Sequence, residues 1–78
     1  MARVRFFAQA RDATGCRQAD VEGDTVGSVL EAAVGRFGPA LGEVIATSTI
    51  WVNGEHADLA SQIRPTDELA VLPPVSGG

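Results

Sequence analysis

Thr25-Val26-Gly27-Ser28-Val29-Leu30-Glu31-Ala32-Ala33-Val34-Gly35-Arg36-Phe37-Gly38-Pro39 decides how the rest of the chain must fold. Val26, Val29, Leu30, Ala33, Val34 and Phe37 recur at i, i+3, i+4, i+7, i+8 and i+11, one unbroken apolar stripe along a helix. Thr25 stands where an N-cap belongs, and Asp24 beside it suits the positive end of the helix dipole. Gly38-Pro39 ends the helix. Gly27 and Gly35 weaken its intrinsic propensity, so the stripe has to be held by packing and reads as core.

The flanking segments supply the packing surface. Residues 2–8 alternate as a strand, with Val4, Phe6 and Ala8 on one face and Arg3, Arg5 and Phe7 on the other. Phe7 is an aromatic among charges, either a satellite of the core or part of an exposed docking patch. Residues 9–15 are polar, contain Gly15 and read as a loop; residues 16–22 return as a second strand. Beyond the helix, Thr49-Ile50-Trp51-Val52 is a strand-forming run followed by Asn53-Gly54, the preferred type I′ hairpin dipeptide. A short strand over 55–58 follows, Pro65-Thr66-Asp67 turns the chain, and 68–72 forms a last strand. One helix across a small mixed sheet closes a core of this size, an α+β class.

That last strand runs into Pro73-Pro74-Val75-Ser76-Gly77-Gly78, and no side chain from Leu69 onward carries charge. The prolines fix φ and lack an N–H, which ends strand pairing and favours an extended segment. Glycine, with no Cβ, threads where a side chain would clash. The six residues from Pro73 span about 20 Å when extended. The reading is a folded unit over 1–72 and a tail over 73–78 that presents the Gly78 carboxylate to another protein's pocket.

Composition narrows the function classes. With 78 residues there is room for one domain, and no apolar run approaches a membrane span. Arg3 and Arg5 interrupt what would be a signal peptide's apolar stretch, so a cytoplasmic protein is expected. Net charge is −4, which argues against nucleic acid and suits a basic receiving pocket. All six basic residues are arginine. Cys16 is the single cysteine, excluding an internal disulfide and a multi-cysteine metal site; its thiol could carry a persulfide, though a half-buried structural residue is the simpler reading. His56, the sole histidine, reads as a surface residue past the Asn-Gly turn, and Asp67-Glu68 as a solvated turn or an acidic patch. Neither a Walker A sequence nor GxGxxG after a strand is present, so catalysis by the chain itself, a bound cofactor and a metal site are not expected.

Val4-Arg5-Phe6-Phe7-Ala8, Val52-Asn53-Gly54-Glu55 and Asp67 through Gly78 together resemble the β-grasp sulfur carriers of the MoaD/ThiS family over the length of the chain. The Phe-Phe-Ala opening and the Leu-Pro-Pro-Val-Ser-Gly-Gly ending are most similar to the small subunit of molybdopterin synthase. The resemblance implies a ubiquitin-like β-grasp fold with a flexible Gly-Gly tail. It implies that Gly78 is adenylated by a separate E1-like enzyme using ATP and magnesium, and converted to a thiocarboxylate by a sulfur donor. Sulfur then passes to a cyclic pterin precursor in the synthase's large subunit, within a heterotetramer. In the family, docking uses an apolar sheet face near the last strand. Here that points to Phe7, Leu72 and Pro73, with Leu41 a weaker candidate and Val71 assigned to the core by period-two alternation. A carrier for thiazole, cysteine or tRNA thiolation, and a ubiquitin-like modifier joined to lysines through Gly78, remain alternatives, as does an interaction module with an inert tail.

Overall fold

The computed structural model describes residues 1–74. Eight elements follow one another: β1 (Ala2–Phe6), α1 (Gln9–Thr14), β2 (Gln18–Val21), α2 (Val26–Phe37), α3 (Pro39–Thr47), β3 (Thr49–Val52), β4 (Glu55–His56) and β5 (Glu68–Leu72). The five strands form one mixed sheet in the order β2-β1-β5-β3-β4. The first and last strands of the sequence pair in parallel at its centre, Val4 opposite Leu69 and Phe6 opposite Val71. Antiparallel partners flank them, β2 against β1 and β3 against β5.

Alternation along the two central strands builds the core. Ala2, Val4 and Phe6 from β1, and Leu69 and Val71 from β5, are buried on one face. They meet Val26, Val29, Leu30 and Ala33 of α2, the first four positions of the predicted stripe. Val34 and Phe37 complete it as half-buried flanks, and Phe37 meets Phe6 edge to face with centroids 5.5 Å apart. The cap is more complete than the sequence promised. Ser28 N–H donates to Thr25 Oγ1 at 3.1 Å while Thr25 N–H donates to Ser28 Oγ at 3.0 Å, a reciprocal capping box. Val26 and Gly27 N–H donate to Ser61 and Leu59 carbonyls, so the loop after β4 satisfies the remaining free donors of that end.

Five expectations are corrected. Residues 9–14 are a helix rather than a loop, closed by Gly15 in the left-handed region at φ 74°. Ala8 does not continue the strand face of Val4 and Phe6: β1 ends at Phe6, and Ala8 is exposed, at φ 48°, where the chain turns into α1. Gly38-Pro39 stops α2 but also starts α3, with Pro39 in its first turn, so the sheet carries three helices and not one. Leu41, a docking candidate from sequence, is fully buried because α3 folds back on α2 and α1. The hairpin is as expected, with Asn53 at φ 50° and Gly54 at φ 82°, but its return strand stops at His56.

Candidate sheet face and tail root

β5 leads directly into Pro73 and Pro74. It is hydrogen-bonded on both sides, which leaves its end no freedom to change register. Because Val71 points into the core, Leu72 points away from the helices and is half-buried. Phe6 is level with Val71, so one step on Phe7 comes level with Leu72. The two line one shallow groove on the outer face, together with Trp51, Gly54, Glu68 and Ala70. Cross-strand register explains the grouping, since Ala70 sits between Arg5 on β1 and Trp51 on β3. The small side chain of Ala70 leaves a depression between two aromatics.

This face is apolar with a polar rim. Arg5 lies over the Phe7 ring at 5.5 Å and approaches Glu68 Oε1 at 3.5 Å. Both charged side chains are nearly half exposed, so this pair orients the rim and adds little stability. His56 stands edge-on to Trp51 at 5.1 Å. At the start of β5, Asn53 Nδ2 donates to Asp67 Oδ1 at 2.9 Å and Glu68 N–H donates to Asn53 Oδ1 at 3.0 Å. Arg64 N–H donates to Asp67 Oδ2 at 2.8 Å. These donors, the Arg64 backbone first and the Asn53 side chain next, hold the Asp67 carboxyl below its ordinary value. Asp67 is thus a structural clamp between the β3–β4 turn and β5.

Of the three residues assigned to an interface from sequence, the structure brings Phe7 and Leu72 together and sends Pro73 elsewhere. Pro73 and Pro74 border a second groove, between α1 and α3, lined by Gln9, Ala13, Glu43 and Val44 among others. Trp51 and Ala70 were missed as members of the sheet face. The signal was present, because Trp51 alternates with buried Ile50 and must face outward. Val75, Ser76, Gly77 and Gly78, expected from sequence to thread into a partner and to carry the acyl site, lie outside the described residues. Cys16 is half-buried against the core. Among the described residues, no three His, Cys, Asp or Glu side chains gather as metal ligands, and no helix is long and apolar enough to cross a membrane.

A central parallel pair of terminal strands, helices on one face and an apolar opposite face beside the exit of the last strand define the architecture. The model of the ThiS family matches residues 4–78. The chain belongs to the ThiS family. It is 41% identical to small archaeal modifier protein 1 of Haloferax volcanii over 95% of this chain and 97% of that one. It is 34% identical to the molybdopterin synthase sulfur carrier subunit of Arabidopsis thaliana over 97% of this chain and 81% of the relative. The crystal structure of the Haloferax protein superposes with a TM-score of 0.82 at 39% identity, covering 99% of this chain and 98% of that chain. The fold is therefore the ubiquitin-like β-grasp, and this ThiS-family chain stands among sulfur carriers and ubiquitin-like modifiers.

Proposed function

We propose that this ThiS-family chain is a sulfur carrier that works as the small, non-catalytic subunit of molybdopterin synthase. The Gly78 carboxylate is adenylated by an E1-like partner with ATP and magnesium, then converted to a thiocarboxylate by a sulfur donor. The tail donates that sulfur to a cyclic pterin precursor in the large subunit, in a heterotetramer, in the cytoplasm. One observation carries the reading: the central strand β5, paired on both sides, feeds directly into Pro73-Pro74 and, by sequence, into Gly77-Gly78. The similarity to the Arabidopsis carrier subunit supports this choice of pathway.

The chemistry needs little from the domain itself. A carboxylate is a poor acyl electrophile, and adenylation supplies a leaving group that divides one hard substitution into two easier ones. Glycine at the acyl position leaves room for the attacking sulfur, while Pro73 and Pro74 keep the tail's root stiff. The outer groove of Phe7, Trp51, Ala70 and Leu72 gives the large subunit an apolar anchor beside the tail's exit.

Intact-mass measurement on protein from its native cell, before and after thiol alkylation, tests the proposal. A species heavier by about 16 Da, sulfur in place of oxygen at an acyl carbon, and alkylated at Gly78 rather than Cys16 is expected. Gly78→Val should abolish it while leaving the fold intact; normal sulfur loading by that variant sinks the model. The similarity to a small archaeal modifier protein favours a second reading, conjugation of Gly78 to target lysines. That reading predicts heavier covalent adducts on gels, with only free carboxylate on the unconjugated chain.

A further inference from the structure

Lysine is among the commonest residues of soluble domains, yet none occurs in these 78 residues, and all six basic side chains are arginine. That absence acquires meaning once the C-terminal carboxyl is activated. An acyl-adenylate or thioester at Gly78 is open to aminolysis. An amine nitrogen attacks the acyl carbon, an amide forms, the bond to AMP or thiolate breaks, and the amine proton leaves to solvent. A lysine on the same molecule would compete at high effective concentration with any external acceptor. Guanidinium is not deprotonated in proteins and cannot take that role. Exposed Arg11 and Arg17 thus keep positive charge on α1 and the turn after it without a nucleophile.

The fold also sets the start of β1 apart from the tail. β1 and β5 run parallel with Arg3 level with Glu68, so Met1, although exposed, lies at the end of the sheet opposite the tail's exit. Six residue steps separate its level from that of Leu72, about 20 Å at the strand rise. The six residues from Pro73 to Gly78 span about the same distance when fully extended, and two of them are prolines whose fixed φ opposes doubling back. Cys16 lies at the tail's end of the sheet but is half-buried against the core, and an acyl shift to its sulfur would be a reversible thioester exchange.

We infer that this chain cannot close on itself: activated Gly78 passes to sulfur or to an amine of a different molecule instead of forming a ring. The inference rests on the proposed activation of Gly78 and narrows it, since every productive acyl transfer would be to another molecule. The test is a full-length chain bearing a C-terminal thioester at Gly78, made by intein cleavage and incubated at mildly alkaline pH without partner enzymes. Products are read by intact mass and gel after hydroxylamine, which removes thioesters and spares amides.

Wild type should yield only hydrolysed acid and hydroxamate. Gln9→Lys places an amine on α1 beside Pro73 and Pro74 and should yield a hydroxylamine-resistant ring, one water lighter than the acid, where wild type yields none. Gln9→Arg, with the same charge and no free amine, should behave as wild type. Amide-linked rings from wild type would overturn the inference. So would a Gln9→Lys chain as inert as wild type, because geometry alone would then be protecting the acyl group. Failure of sulfur loading in the native cell removes the proposed function without altering these outcomes, so the two failures are distinguishable.

Discussion

At Gly23 the backbone takes φ 151°, and a Cβ built there would lie 2.6 Å from Val29 Cγ2 and 2.7 Å from Ser28 Oγ and Val29 N. One of these obstacles is helix backbone and another is the hydroxyl of the capping box, so neither yields without loosening the start of α2. Gly23→Ala should therefore destabilise by about 2 kcal/mol, as backbone strain and overpacking do elsewhere. A lower urea midpoint at unchanged m would register it. Gly35 is the opposite case. It is exposed inside the same helix, with nothing within 4 Å of its built Cβ. Gly35→Ala should raise stability by about 0.5–1 kcal/mol through helix propensity and a less flexible unfolded chain. Asp67 gives a pH signature. Its folded pKa lies below its unfolded one, so its contribution is present above the unfolded value and is lost as pH falls through the folded value. Melting temperatures measured from neutral to strongly acidic pH should show wild type above Asp67→Asn near neutrality, with the gap closing in acid.

At the scale of elements, what the sequence revealed follows the length and periodicity of each signal. α2 was legible because six apolar residues share one face over twelve positions, with Thr25 at the cap. Ser28, which completes the cap, is an ordinary small polar residue until its partner's geometry is known. α3 had a shorter signal, Leu41, Val44 and Ile45, hidden because Gly38-Pro39 was read only as a terminator. Proline in a first turn starts a helix as readily as proline after a glycine stops one. α1 offered least: six residues, one of them buried, and an N-terminus without a side-chain cap. Its one clear mark was Gly15 at the C-terminal end. The outer groove was half legible, since alternation places Leu72 outward but cannot say that β3 lies next to β5 and brings Trp51 beside it. On the proposed reading, Phe7→Ser should weaken binding to the large subunit by about tenfold to a hundredfold, as loss of an aromatic anchor does. Calorimetric titration would measure that, and unfolding midpoints should fall by no more than about 1 kcal/mol equivalent.

For the whole molecule, the parallel pairing of the first and last strands separates stability from delivery. Among the described residues, every buried one lies between Ala2 and Val71, and β5 is held by hydrogen bonds to β1 and β3. The expected consequence is a clean division at the prolines. A chain ending at Pro74 should unfold in urea at the same midpoint and with the same m as the full chain, because m follows the surface exposed on unfolding. On the proposed function, the same truncation should retain binding to the large subunit through the sheet face while losing all sulfur loading. A fall in the midpoint would mean that residues 75–78 pack on the domain, and the tail would then have to be released before it could reach an activating enzyme. An unchanged midpoint with lost loading leaves the tail as the seat of the chemistry and the β-grasp domain as the base that aims it.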